Sequence, residues 1–117
     1  MNASVSWFEI PASDPARLVT FYKTAFGWSA EQYPGMPYFM LDTGAGESGI
    51  HGAITQRGAL QSPANTLYVP CLDDAIERVT KGGGRIVGEK VTIPEVGTYV
   101  YAADPEGNVF GMLQRAA

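Results

Sequence analysis

The sequence predicts an α+β fold made of two half-modules, each running β-α-β-β-β, whose strands form one curved mixed sheet with the helices on the outside. Three observations predict it. A β-prone segment followed by a short capped helix occurs twice, glycine ends each helix, and three short strand-like segments follow each time. The two halves also superpose by counting along the chain.

Val5 to Ile10 is β-prone and closes at Pro11. Ser13 or Asp14 can then cap a helix that has Pro15 in its first turn, where a missing N–H costs little. Leu18, Val19, Tyr22, Ala25 and Phe26 recur at three- and four-residue spacing, which gives one buried face, and Gly27 stops the helix. Strands are expected at Trp28 to Tyr33, Pro37 to Leu41 and Gly49 to Ile54, separated by Pro34-Gly35 and the glycine-bearing stretch Asp42 to Ser48. Thr55 to Ala64 has little periodicity and reads as the connection between halves.

The second half repeats the order: a strand at Thr66 to Pro70, a helix from Asp73 or Asp74 to Lys81, and the stop Gly82-Gly83-Gly84. Strands follow near Arg85 to Val91, Thr98 to Ala103 and Asn108 to Gln114. At an offset of 59 Ile10 falls on Val69, Pro11 on Pro70, Asp14 on Asp73, Ala16 on Ala75 and Gly52 on Gly111, while Tyr38 meets Tyr99 at 61. A longer loop before the second meander and a longer turn at Asp42 to Ser48 would account for the difference. Modules of about 1–56 and 64–117 are each too short to bury a core alone, so the 117 residues form a single domain around one shared core. A concave sheet of this kind offers a groove lined by alternate residues of each strand.

The 12 acidic and 8 basic residues leave a net charge of −4, and the bases are scattered rather than clustered, which argues against a nucleic-acid partner. One cysteine, Cys71, excludes an internal disulfide framework, and Pro70 and Leu72 beside it bring no positive charge to activate it. No apolar run approaches membrane-spanning length, and Met1-Asn2-Ala3-Ser4-Val5 has neither a basic segment nor an apolar core. The chain reads as cytoplasmic, with no membrane partner.

Trp7-Phe8-Glu9-Ile10-Pro11, Phe21-Tyr22 with Phe26-Gly27-Trp28, Tyr68-Val69 with Leu72-Asp73-Asp74-Ala75, the three glycines at 82–84 and Asp104-Pro105-Glu106-Gly107-Asn108 occur in a telling order. Together they resemble the vicinal oxygen chelate superfamily of glyoxalases, bleomycin-resistance proteins and extradiol dioxygenases, above all its small bacterial glyoxalase-like branch. The resemblance spans almost the whole chain. Asp104-Pro105-Glu106-Gly107 also has a plain role as a tight turn into the last strand.

The resemblance implies a metal ligand on the first and last strand of each half-module, drawn from His, Gln or Glu, so that a divalent cation can polarise a substrate oxygen. Those positions fall at Trp7, Gly52, Asn65 or Thr66, and Gly111, and glycine has no side-chain donor. The single histidine, His51, cannot supply a two-His-one-carboxylate triad within one chain. No metal ligand is therefore assigned and no cofactor is predicted. His51 lies one residue from the aligned position and, without a bulge, faces the helix side or an edge; structural, ligand-contacting and metal-binding roles all stay open.

Glu9 is the candidate catalytic carboxylate. It shares strand parity with Trp7 and points into the groove if Phe8 and Ile10 pack under the helix. There it would serve as a general acid or base, or else pair with an arginine or a backbone amide. Trp7, Trp28, His51, Tyr68, Tyr99 and Tyr101 are the candidate ligand-binding residues, with aromatic walls for a flat or apolar molecule, although tyrosine on a strand is also ordinary sheet packing.

The best-supported reading is a small glyoxalase-like or bleomycin-resistance-like protein that binds or converts a small organic molecule in the groove without the family metal. Two alternatives stand beside it. One is sequestration of a cationic antibiotic, which suits an acidic chain. The other is a metal-dependent lyase, isomerase or dioxygenase, for which Glu9, His51 and a residue such as Glu47 or Glu95 would have to converge. The resemblance further implies a homodimer.

Overall fold

The computed structural model describes residues 2–117. Eight strands and two α-helices follow in the order β1 (Ser4–Ala12), α1 (Pro15–Phe26), β2 (Ser29–Gln32), β3 (Tyr38–Asp42), β4 (Gly52–Gln56), β5 (Ala64–Tyr68), α2 (Leu72–Lys81), β6 (Arg85–Ile93), β7 (Gly97–Ala103) and β8 (Val109–Arg115), with one 3₁₀ turn at Gly46–Ser48. The class is α+β with mixed strand pairing. No helix among the described residues is long and apolar enough to cross a membrane. The chain divides into two compact units, Trp7–Pro63 and Ala64–Ala117, the latter joined by the described residues before Trp7.

In the unit Trp7–Pro63, β1 runs parallel to β4, β3 is antiparallel to β4, and β2 is antiparallel to β3. Phe8, Ile10 and Ala12 of β1, Phe39 and Leu41 of β3, and Ile54 of β4 share one face, and α1 covers it with Leu18, Val19 and Tyr22. The helix starts where expected: Asp14 Oδ1 accepts from the Arg17 N–H at 3.2 Å and Pro15 occupies the first turn. It ends at Gly27, whose φ of 74° is left-handed and whose N–H reaches Lys23 O at 3.0 Å.

The stretch after Ile54 is more than a connection. Strand β4 continues to Gln56, Leu60 is buried, and Arg57 ties the segment down by donating to the carbonyls of Gln61 and Pro11. Strand β4 also starts later than expected, at Gly52 rather than Gly49, because the 3₁₀ turn and its exit occupy the preceding residues.

In the unit Ala64–Ala117, β5 runs parallel to β8, β7 is antiparallel to β8, and β6 is antiparallel to β7. Val69, Leu72, Ala75, Val100, Ala102 and Met112 form its core, with Leu67, Ile76, Val79, Ile86 and Phe110 packed around them. Helix α2 begins one or two residues before the aspartates. Cys71, at its cap, makes no side-chain bond there; Gln114 Oε1 from β8 instead accepts the Leu72 N–H at 2.7 Å. The additional residues of this half lie in a nine-residue β6 whose register shifts between Val87 and Val91, not in a longer loop.

Strand pairing corrects the superposition by counting. Phe8 pairs with Gly52, whereas Thr66, which answers to Trp7, pairs with Gly111. Phe8 answers to Leu67, and Leu67 pairs with Met112. Gly52 therefore corresponds to Met112, and His51 corresponds to Gly111. The same ladders put Met40, which pairs with Ala53, in the place of Tyr99, which pairs with Leu113. Counting cannot see this one-residue difference, but in a strand it reverses the face.

The turn into β8 is built as its residue types demand. Gly107 N–H donates to Asp104 O at 2.9 Å, Gly107 has φ of 86°, and Asp104 Oδ1 accepts from the backbone N–H groups of Glu106 and Asn108. These bonds hold the Asp104 carboxyl below its ordinary 3.8, the Asn108 side chain contributing most, followed by the Asn108 and other backbone N–H groups.

A Cβ on Gly52 would lie 2.6 Å from the Phe8 ring carbons and 2.5 Å from Phe8 O, whereas one on Gly58 meets only Gln56 O at 4.0 Å. Gly52→Ala should therefore lower stability by about 1–3 kcal/mol through overpacking, with Gly58→Ala near neutral. Urea unfolding of the two variants checks this, and equal midpoints would contradict it.

A folded-state pKa below the unfolded one gives stability that is present above the unfolded value and disappears as pH falls through the folded value. The advantage of the wild-type chain over Asp104→Asn should accordingly be present at neutral pH and shrink between about pH 5 and pH 2. Urea midpoints across that range read it directly.

Candidate functional site

Each unit has a sheet face turned away from its helix, and the alternation of strand residues decides what stands there. In Trp7–Pro63, placing Phe8 and Ile10 against α1 puts Trp7 and Glu9 on the other face of β1. Glu9 pairs with Ala53, which is fully buried, and Met40 pairs with Ala53 from the other side. Tyr38 stands two residues from Met40 on the same face, and the Trp7 Nε1–H donates to its hydroxyl at 3.3 Å.

Glu9 is only 8% exposed and, with Thr66, is one of two buried polar side chains among the described residues. Taking a carboxylate out of water is costly unless polar groups meet it, so such a group is held by its surroundings and not by solvent. Tyr38 was not legible as a partner of Trp7. The signal for it lies in the β3–β4–β1 register, which brings residues 31 positions apart together.

Two of the aromatic and imidazole candidates stand elsewhere than expected. Trp28 lies on the helix side: it stacks on Tyr22 at 4.7 Å and 8° and neighbours Phe8 and Phe26 at 5.9 and 6.2 Å. Its place just before β2 lets it fold back over the end of α1, where it buries apolar area. His51 precedes β4 and turns to the loop after β3. There Nδ1 accepts the Thr43 N–H at 3.1 Å and lies 3.5 Å from Asp42 Oδ1, so in the neutral ring Nε2 carries the proton. By parity with Gly52, whose missing side chain would run into Phe8, the position of His51 belongs to the face of Trp7 and Glu9, not to the helix face.

In Ala64–Ala117 the face turned away from α2 is aromatic. One cross-strand row runs Thr66, Gly111, Tyr101, Val87 and the next Tyr68, Leu113, Tyr99, Val91. Tyr99 and Tyr101 meet edge-to-face at 5.7 Å, and the Arg115 guanidinium lies 4.2 Å over the centre of the Tyr68 ring. Gly111 sits beside Thr66 Oγ1 and Tyr101, where a Cβ would come to 3.2 and 3.5 Å. Arg115 was missed in the sequence because a basic residue near a strand end has no pattern of its own.

The residues at the family's ligand positions do not fit a divalent metal. Trp7 Nε1 is a donor already directed at Tyr38, Gly111 has no side chain, Gly52 faces the core, and His51 has one ring nitrogen committed to Thr43. Among the described residues no group of three or more His, Cys, Asp or Glu side chains converges.

Comparison with known proteins agrees with the fold. Residues 4–112 match the Glyoxalase/Bleomycin resistance protein/Dioxygenase superfamily. A glyoxylase-like domain-containing protein of Didymella fabae is 27% identical, covering 98% of this chain and 96% of the relative. The Mycobacterium bovis protein CFP32, named as a glyoxylase, is 25% identical over 93% of this chain, which spans only 44% of its length. Among solved structures, a Streptomyces coelicolor methylmalonyl-CoA epimerase variant bound to 2-nitronate-propionyl-CoA superposes with TM-score 0.70 at 15% identity, covering 100% and 97% of the two chains. A superfamily member from Vibrio splendidus gives 0.68 at 14%, covering 97% and 99%.

Proposed function

The chain belongs to the glyoxalase/bleomycin-resistance/dioxygenase superfamily, and from that premise we propose that it binds a small organic molecule against the sheet face carrying Trp7 and Glu9, without a resident divalent metal. The observation that supports this reading is the burial of Glu9 on the face away from the helix core. A buried carboxylate that shares its sheet face with an indole and a phenol can accept a strong hydrogen bond from a ligand or take a proton from it. Trp7, fixed by its bond to Tyr38, presents a flat wall at low entropic cost.

A thermal-shift screen of small polar and aromatic molecules, run with and without Mn²⁺, Ni²⁺ or Zn²⁺, tests it, since a bound ligand stabilises by mass action. At least one compound should raise Tm in the absence of metal. Glu9→Gln should weaken that compound by roughly tenfold to a hundredfold, the range for a hydrogen bond to a charged group. Shifts that appear only with metal, or that survive Glu9→Gln unchanged, would overturn the reading.

We extend the proposal to a homodimer. Phe21 and Phe26, 55% and 65% exposed on α1, supply apolar surface of the kind that pairing covers. Multi-angle light scattering should give twice the chain mass, and a monomer at working concentration would remove the inference.

A further inference from the structure

The geometry points to an anion-binding aromatic platform on the face of β5, β8 and β7 turned away from α2, which takes the carboxylate of a flat aromatic acid on Arg115 and its ring on the tyrosines. This deepens the proposed small-molecule function and rests on it for the class of ligand.

Three observations carry the inference. The Arg115 guanidinium lies 4.2 Å above the Tyr68 ring, and among the described residues no carboxylate stands within ion-pair distance of it. A guanidinium seated on a ring keeps its in-plane N–H edge for a planar, bidentate acceptor, and seating it beforehand lowers the entropy lost on binding.

The apolar part of the site is in register with that cation. Tyr68, Leu113 and Tyr99 form one cross-strand row, and Tyr101 meets Tyr99 edge-to-face at 5.7 Å one row away. Neighbouring strands lie about 4.8 Å apart, so the row from Tyr68 to Tyr99 spans roughly 10 Å, wide enough for one six-membered ring beside the guanidinium. Rings offset or edge-on to the tyrosines gain aromatic contact beyond their buried area. In a chain of net charge −4, a local cation beside phenyl rings selects an anion that carries a ring over a bare anion.

The probe is benzoate, titrated into the full chain and followed by the NMR shifts of the tyrosine rings, with benzamide and acetate as its neutral and ring-free counterparts. Benzoate should bind at least about tenfold more tightly than either, the scale of one charge-assisted hydrogen bond. Arg115→Gln should remove that preference over benzamide, and Tyr68→Leu should weaken benzoate while sparing the fold, checked by the unchanged amide spectrum. Equal binding of benzoate and benzamide, or an unchanged benzoate affinity in Arg115→Gln, overturns the inference. If benzoate fails while other compounds give Glu9-dependent shifts, the platform falls and the small-molecule function stands. If no compound binds at all, both fall.

Discussion

Each helix must bury its apolar stripe against its own strands, and this constraint decides the rest. Once Phe8, Ile10 and Ala12 lie under α1, the two-residue period of a strand leaves Trp7 and Glu9 no choice of side. The same holds in the other unit, where Leu67 and Val69 under α2 send Thr66 and Tyr68 to the opposite face. Hydrophobic burial thus does the sorting, and of the candidate groups it takes in only Trp28. A one-residue slip in β1 would bury Trp7 and Glu9 against Val19 and expose Phe8 and Ile10, a loss large enough to specify register.

The two halves repeat in outline and differ in how they satisfy the same physical demands. Helix α1 is capped locally by Asp14, three residues from its partner. Helix α2 starts at Cys71, which makes no such bond, and the free N–H of Leu72 is met by Gln114 from 42 residues away. In the register of the parallel pairs, Gln114 answers to Ile54, which is wholly buried in the other unit. One position therefore serves as core in one half and as a helix cap in the other.

The family's metal positions carry a similar lesson. Gly111 leaves its place empty on the face of Tyr101, whereas Gly52 is empty because the Phe8 ring needs the room. These are two different settings for glycine, and only the first lies on a candidate binding face. His51 is the residue that register puts at the corresponding place, yet its ring is engaged with the Asp42–Thr43 loop. The candidate functional groups in this chain are consequently aromatic rings, one buried carboxylate and one seated guanidinium, a set chemically suited to recognising organic molecules by shape and charge.

By itself the sequence determined the order of elements, the ends of α1, the turn at Asp104 to Gly107 and the family. The elements, helix ends and turn rest on local rules: helix caps, glycine at positive φ, and alternation within one strand; the family rests on the resemblance carried by its motifs. That alternation also placed Glu9 and Trp7 once Phe8 and Ile10 were assigned to the core. What only the tertiary structure decided was the pairing between distant strands, which moved the equivalence of Gly111 from Gly52 to His51 and brought Tyr38 to Trp7. It likewise turned Trp28 into the helix core and set Arg115 over Tyr68. Register is a property of two chain segments and the face they share, so no spacing within either segment contains it.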